Sequence, residues 1–420
     1  MSLGPTIDMI WVGKLGSTAI AAVGVSGVAV QLAQGAMMGL TVGTRALIAR
    51  FIGAKDVATA NRVAQQAVVI AALYAIPMAL IGAFFSEEIM SLVTSAPDVI
   101  SVGAVYLRIN FIGAASISFR MMMDAIMQAS GDSMNPMWIA VVYRLFHIAL
   151  CPFLIFGWWI FPNMGVSGAA VTSVISQTLG VILGLRVLFG EKSRVRLSFK
   201  GFRFDMGIMR RTVRIGVPSL ISAIQRNLNQ FILQRFLAPF GTIVLAAHTI
   251  NQRLEMLMFM PAMAFGMGAG VLVGQNLGAK QPQRAEKSAW IAVGLVEAFI
   301  FVVSLAFFVW TGRVIRIFNS EPTLVKMASE FLHIAIVGWG LMGFMFVLMN
   351  ALQGAGDTVP TMVISIVTVW VITLPLAYLL PKYTSWGVIG IRWAMAASTV
   401  VGAVANIVYF STGKWKTRRV

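Results

Sequence analysis

The sequence predicts an all-α integral membrane protein of two six-helix lobes that are related as parallel repeats. Three observations predict this fold: the composition is apolar, stretches long enough to cross a bilayer follow one another, and the second half repeats the first. Hydrophobic residues make up 58% of the 420 residues and charged residues only 11%, whereas a soluble domain carries about 25% charged residues. We therefore expect the lipid bilayer to be a partner of this chain.

The internal repeat is the strongest pattern in the sequence. Residues 16–64 recur at residues 241–289 with a constant offset of 225 positions, and the same offset relates Asp132 to Asp357. Similar Gly-Val-Xaa-Gly segments begin at Gly165 and Gly387. Their separation is three positions shorter than the repeat offset, so the second half has lost three residues before Gly387. Two copies of one helical unit are typical of secondary transporters, in which two halves rock about a central site.

Breaks at glycine, proline and charge clusters divide the chain into eleven full spans and one partial span. A helix needs about 20 apolar residues to cross a bilayer. Because each half holds an even number of spans, both copies enter the membrane from the same side, as parallel repeats do. The predicted spans are 1–13 (partial), 18–48, 57–84, 100–127, 135–160, 165–189, 209–238, 243–275, 286–312, 325–352, 358–381 and 386–411.

The charged loops predict the orientation and the domains. The loop after the third span holds only acidic charges, whereas basic residues gather between the halves and in the tail. The positive-inside rule places the basic side in the cytoplasm. We expect an N-terminal lobe at 1–190, a basic cytoplasmic connector at 191–208 and a C-terminal lobe with its tail at 209–420. The basic residues are Arg186, Lys192, Arg194, Arg196, Lys200, Arg203, Arg210, Arg211, Arg214, Lys414, Lys416, Arg418 and Arg419.

These loops also explain the net charge of +17, so we expect no nucleic-acid partner. The predicted location is the cell inner (plasma) membrane, as a multi-pass protein with both termini cytoplasmic.

The repeat also predicts that the first span is incomplete. The seventh span begins near Arg211, and its counterpart in the first half would start before residue 1. We expect about one to two turns or more of this helix to precede Met1 in an extended reading frame.

Several segments together resemble the multidrug and toxic compound extrusion (MATE) transporters. Each segment is a weak motif alone, but they occur in order and in both halves. The segments are Ile7–Gly16, Ala21-Ala22, Gly53–Lys55, Gly165–Ala170, Leu245–His248, Val273–Ala279 and Gln353–Thr358. The resemblance implies twelve helices in two lobes around a central cleft. It also implies export of small organic cations, driven by inward flow of Na⁺ or H⁺ and without another cofactor.

Two departures from the family pattern concern ion coupling. The family commonly places an Asp before a Pro in the fifth helix, where this chain has Cys151 before Pro152. Some members carry an acidic residue in the seventh and tenth helices, but the corresponding stretches 225–230 and 340–343 contain none. The sequence therefore leaves open whether Na⁺ or H⁺ is the coupling ion.

Asp8 matches the family's first-helix Asp and is the first candidate for ion or proton coupling. A carboxylate inside the membrane costs at least about 2.5 kcal/mol, so it is kept where it is paired or where it handles ions. The alternative for Asp8 is a solvated residue near a loose terminus.

Glu255 is the second candidate for coupling. It shares a helix face with His248 and Asn251, which precede it by seven and four residues. The alternative is a structural ion pair. The arginines available for that pair are Arg226, Arg235 and Arg253.

Polar side chains in the second, seventh and eighth spans predict a substrate cavity, because lipid would reject them. Phe259, which lies among methionines in the eighth span, predicts a deformable apolar wall of this cavity. The predicted lining residues are Gln34, Asn227, Asn229, Gln230, His248, Asn251 and Phe259.

The predicted function is secondary active antiport: multidrug efflux of amphipathic, often cationic small molecules in exchange for H⁺ or Na⁺, by alternating access. The alternative is a flippase for a lipid-linked precursor on a related two-lobe scaffold, which would need a basic cleft. The arginines available for that cleft are Arg108, Arg120, Arg144 and Arg226.

We do not expect an enzyme, and we predict no catalytic residue and no metal site. The sequence has neither a His/Glu metal spacing nor a serine elbow, and the His147–Cys151 pair has no positioned third member. A monomer is expected.

Overall fold

The computed structural model describes residues 3–191, 193–198 and 201–418, and over these ranges the chain forms sixteen α-helices and no strand. Three of the basic residues that predict the orientation, Lys192, Lys200 and Arg419, lie outside the described residues. The predicted all-α membrane fold is confirmed.

The first half contains seven helices. They are α1 (Leu3–Val12), α2 (Ser17–Gly53), α3 (Val57–Ser91), α4 (Pro97–Ile112), α5 (Ala114–Ala129), α6 (Met134–Phe156) and α7 (Val166–Phe189). The second half contains nine. They are α8 (Met206–Leu237), α9 (Thr242–Gly278), α10 (Pro282–Val309), α11 (Thr311–Arg316), α12 (Pro322–Trp339), α13 (Met342–Gly354), α14 (Thr358–Ile366), α15 (Leu374–Tyr383) and α16 (Val388–Ser411). A π-helical segment, Val367–Thr373, joins α14 to α15.

The fourth and tenth predicted spans are each a pair of helices with a bend. The angle is 46° between α4 and α5 and 45° between α12 and α13. Gly113 separates the first pair, and Gly340 lies at the end of α12 in the second. Glycine weakens a helix at such a point. The bend is therefore a property of the repeated unit.

Eight helices in the described part of the chain are long and apolar enough to cross a membrane, or ten if each bent pair is one span. The helix α8 has 32 residues but is not among them, because arginine and amide side chains interrupt its apolar stretch. The helix α1 has ten described residues, which match the last ten residues of α8 at the repeat offset.

Repeat-related positions share unusual backbone geometry. Lys55 and Lys280 both adopt left-handed conformations, with φ of 61° and 58°. Gly16 and Gly241 have φ of 109° and 98° in the loops that precede α2 and α9. A left-handed residue other than glycine is uncommon, so its recurrence at Lys280 shows that the two turns are copies.

A buried hydrogen bond between helices is also repeated. Ser26 on α2 donates to the carbonyl of Gly103 on α4 at 3.0 Å. Asn251 on α9 donates to the carbonyl of Ala328 on α12 at 3.1 Å. Both pairs are related by the repeat offset, and both side chains are fully buried. The two halves therefore join the same helices by the same contact, with different side chains.

Contacts divide the chain into two compact units. Unit 1 comprises residues 1–48 and 57–213, and unit 2 comprises residues 49–56 and 214–420. The described part of the connector packs within unit 1: the backbone N–H of Leu197 donates to the carbonyl of Leu188 at 3.0 Å. The buried Gln66 side chain donates to the carbonyl of Arg203 at 2.8 Å.

Close packing of α9 against α13 in unit 2 depends on two glycines, Gly270 and Gly354. A Cβ atom at Gly354 would overlap the backbone of Gly270. We expect Gly354→Ala to destabilise the protein by about 1–3 kcal/mol or more, as overpacking against a rigid neighbour does. Thermal unfolding in detergent measures this loss.

Gly268 on the same helix α9 provides the matched control, because a Cβ atom there has nothing within 4 Å. Gly268→Ala should leave the unfolding temperature unchanged or raise it slightly. Equal unfolding temperatures for the two variants would contradict the assigned contact.

Candidate functional site

Asp8 lies in a buried cluster of unit 1 together with two side chains of α6. Its side chain oxygen Oδ1 is 2.7 Å from Nε2 of His147, and the thiol of Cys151 donates to the same oxygen at 3.4 Å. His147 and Cys151 are four residues apart, so both face α1 from the same side of α6. The prediction that the His147–Cys151 pair has no positioned third member is wrong, because Asp8 on α1 contacts both side chains.

The surroundings of this cluster are apolar. Asp8, His147 and Cys151 are 5%, 4% and 0% exposed. Val12 of α1 and Ala169 of α7 belong to the hydrophobic core around Cys151. Asp8 is thus not a solvated residue at a loose end, and its contacts with His147 and Cys151 act in a medium where polar interactions are strong.

A second buried cluster lies in unit 2 around Arg392 of α16, which is 3% exposed. Its guanidinium donates to Nδ1 of His248 on α9 at 3.0 Å and lies over the ring of Phe331 on α12, 5.2 Å from the centroid. Since an arginine can only donate, His248 accepts through Nδ1, so the imidazole is neutral with its proton on Nε2.

Glu255, the second predicted coupling residue, interacts electrostatically with Arg392. It is partly buried on α9, and among the described residues it has no ion pair within 4 Å. The partners suggested by the sequence, Arg226, Arg235 and Arg253, are therefore not the ones found. Arg392 balances part of the Glu255 charge from a distance.

Sequence reasoning missed Arg392, although a signal was present. It lies five residues after Gly387, inside the last apolar span. A charged residue at such a position is as costly as Asp8 is in the first span, and the same argument would have selected it.

The predicted cavity residues occupy different environments. Asn251 is fully buried and joins α9 to α12, so it acts as a structural contact; its Oδ1 has no partner in the described structure. Phe259 packs edge to face on Phe346, with centroids 4.9 Å apart. On α8, Asn227 and Asn229 are partly buried and Gln230 is exposed.

Gln34 lines an open pocket within unit 1. Its enclosed volume is about 20 Å³, little more than one water molecule needs. Met37, Tyr74, Asn110 and Phe111 are also among its lining residues. The hydroxyl of Tyr74 donates to the carbonyl of Ala33 at 2.6 Å and so joins α3 to α2.

Two of the four arginines that a basic cleft would need have carboxylate partners. Arg108 is 3.3 Å from Glu87, and the buried Arg120 pairs with Asp124. Arg144 lies over the ring of Tyr143 at 5.3 Å, while Arg226 is partly buried on α8.

Comparison with known proteins agrees with this architecture. A model of the MatE family matches residues 1–153 and 218–379. The chain is 26% identical over 425 residues to the probable multidrug resistance protein YoeA of Bacillus subtilis, covering 100% of this chain and 91% of that protein. It is also 26% identical over 421 residues to the probable multidrug resistance protein NorM of Thermotoga maritima, covering 98% and 89%.

Solved structures show the same fold. One, described as the outward-facing conformation of a multidrug resistance MATE family transporter of the MOP superfamily, superposes with a TM-score of 0.91 at 22% identity. The match covers 98% of this chain and 91% of that chain. Since the family model matches most of the chain, and the helices and repeat agree with it, this protein belongs to the MatE family of membrane transporters.

Proposed function

We propose that this protein is a proton-coupled antiporter that exports amphipathic, often cationic organic molecules by alternating access, as in multidrug efflux. The observation that carries this proposal is the buried contact between Asp8 and His147 in a member of a transporter family. A carboxylate 2.7 Å from an imidazole can take up one proton and share it with the ring, because either group can hold it.

The atoms around Asp8 favour H⁺ over Na⁺. Hard cations prefer oxygen ligands, but the side chains in contact with Asp8 offer a nitrogen from His147 and a sulfur from Cys151. At the family's usual fifth-helix carboxylate, this chain has the thiol. The coupling site therefore lacks one of the oxygens that would hold Na⁺.

Coupling follows if the proton favours one of the two access states. The Asp8–His147 contact joins α1 to α6, so a change in its protonation changes how these helices are held together. An ion shifts a conformational equilibrium only by its different affinity for the two states. If the proton favours one access state and the substrate favours the other, the protein exchanges one for the other across the membrane.

We retain Glu255 as a second coupling candidate, with its charge partly balanced by Arg392. The proposed substrates are small organic cations, and the proposed location is the plasma membrane with both termini cytoplasmic. No cofactor besides the coupling ion is proposed. The flippase alternative gains no support from Arg108 and Arg120, whose charges are paired.

Transport into proteoliposomes tests the coupling ion. Vesicles with an acidic lumen should accumulate tetraphenylphosphonium, a permanently charged cation, when valinomycin and equal potassium hold the membrane potential at zero. Vesicles with sodium inside and equal pH on both sides should not, because only the proton gradient drives exchange at the Asp8–His147 pair.

A proton-exchanging ionophore should abolish the accumulation, and protein-free vesicles set the background. Accumulation with the sodium gradient alone would show that Na⁺, and not H⁺, is the coupling ion. No response to either gradient would exclude coupled antiport of this cation.

A further inference from the structure

We propose that Asp8, His147 and Cys151 form a binding site for a soft or borderline divalent metal, with Zn²⁺ as the physiological candidate and Cd²⁺ as a probe. The three side chains are the only group of this kind in the described residues, and their ligand atoms all lie within 4.8 Å of one another. Spacing along the sequence does not reveal the site, because Asp8 is 139 positions from His147.

The distances suit a metal of this size. Zinc bonds of about 2.0–2.3 Å in a tetrahedral arrangement separate ligand atoms by about 3.3–3.8 Å. The oxygen of Asp8 is now 3.4 Å from the Cys151 sulfur and 2.7 Å from His147 Nε2. A metal would replace the Asp8–His147 hydrogen bond, and the side chains would need to move by less than about 1 Å.

The charge of the ligands also fits. Metal binding would release the proton of the Cys151 thiol to solvent. The resulting thiolate and the Asp8 carboxylate carry two negative charges, so with a neutral imidazole they make a divalent ion electrically neutral. Neutrality matters here, since the three side chains are at most 5% exposed and an unbalanced charge in such a site is costly. Thiolate and imidazole select zinc-like metals over magnesium and calcium.

Three protein ligands leave the fourth zinc position open, and Tyr106 lies beside the cluster. It is buried on α4 and interacts electrostatically with both Asp8 and Cys151. Tyr106 therefore lies on the α4 side of the site, in the same hydrophobic core as Cys151.

A bound metal would have a mechanical consequence, because it would link α1 to α6 through three coordinate bonds. This consequence rests on the proposed function: if α1 and α6 must separate or rotate during transport, the metal would hold the protein in one state. We infer that Zn²⁺ inhibits transport through this site.

Cd²⁺ titration tests the site in the full chain, purified in detergent without a histidine tag. The sequence contains a single cysteine, so an ultraviolet Cd–thiolate charge-transfer band can arise only from Cys151. We expect one Cd²⁺ per chain, displaced by Zn²⁺. Cys151→Ser should abolish the band, and His147→Asn or Asp8→Asn should weaken Cd²⁺ binding about tenfold or more.

His333→Asn and Asp98→Asn are matched controls that should leave Cd²⁺ binding unchanged, because both residues lie on other helices and are exposed. Gel filtration would identify a misfolded variant, and the three ligand variants test the site independently. Absence of the band, or a band unaffected by both His147→Asn and Asp8→Asn, would overturn the proposed site.

Metal binding and transport are separate measurements, so their failures are distinguishable. In proteoliposomes, Zn²⁺ should suppress uptake by the wild type and by His333→Asn, and a chelator should restore it. Cd²⁺ binding without any transport would contradict the proposed function alone. Transport without Cd²⁺ binding would contradict the metal site alone.

Discussion

Asp8→Asn should reduce proton-driven uptake to the level of protein-free vesicles. The amide has almost the same shape as the carboxylate and can still hydrogen-bond to His147, so α1 should stay packed on α6. An amide does not take up a proton in the working pH range, however, and Asp8 is the carboxylate in direct contact with His147. Loss of the exchangeable proton should thus remove coupling while the fold is kept.

The same substitution should also change the pH dependence of substrate binding. In the wild type, protonation and binding of a cation oppose each other, so affinity for tetraphenylphosphonium should rise as the pH is raised. In Asp8→Asn this dependence should become flat, which equilibrium binding at several pH values measures in detergent without any gradient.

Asp98→Asn is the matched control, since Asp98 is an exposed carboxylate in the first turn of α4. It should transport like the wild type. If Asp8→Asn still accumulates the cation against a gradient, with an unchanged pH response, the coupling proton is bound elsewhere.

The sequence predicts the helices of this fold well, because charges and glycines mark where each apolar stretch ends. The seventh span, predicted at 209–238, is found as Met206–Leu237. The bends near Gly113 and Gly340 were not predicted, since the hydropathy is continuous across them. They depend on how neighbouring helices pack, which a single sequence does not show.

The candidate site was only partly predictable for a related reason. Asp8 follows from its motif, and the spacing of His147 and Cys151 follows from helix geometry. Their convergence does not, because it requires α1 to pack against α6. The sequence limits which residues can be charged in a membrane, but the partner of each charge is chosen by tertiary structure, as Glu255 and Arg392 show.

Arg392→Met should destabilise the protein by about 1–3 kcal/mol, the cost of leaving a buried hydrogen-bonding group without its partner. Methionine can fill the space beside Phe331, so lost packing contributes little. The cost arises because Nδ1 of His248 loses its donor and the partly buried Glu255 loses the cation that attracts it. Thermal unfolding in detergent should show the loss as a lower midpoint.

A double variant separates the two causes. If attraction between Glu255 and Arg392 is important, Glu255→Gln should restore part of the stability lost in Arg392→Met, because it removes the uncompensated charge. Arg313→Met, at an exposed position on α11, is the matched control and should unfold like the wild type. A double variant less stable than Arg392→Met would mean that groups other than Arg392 stabilise the Glu255 carboxylate.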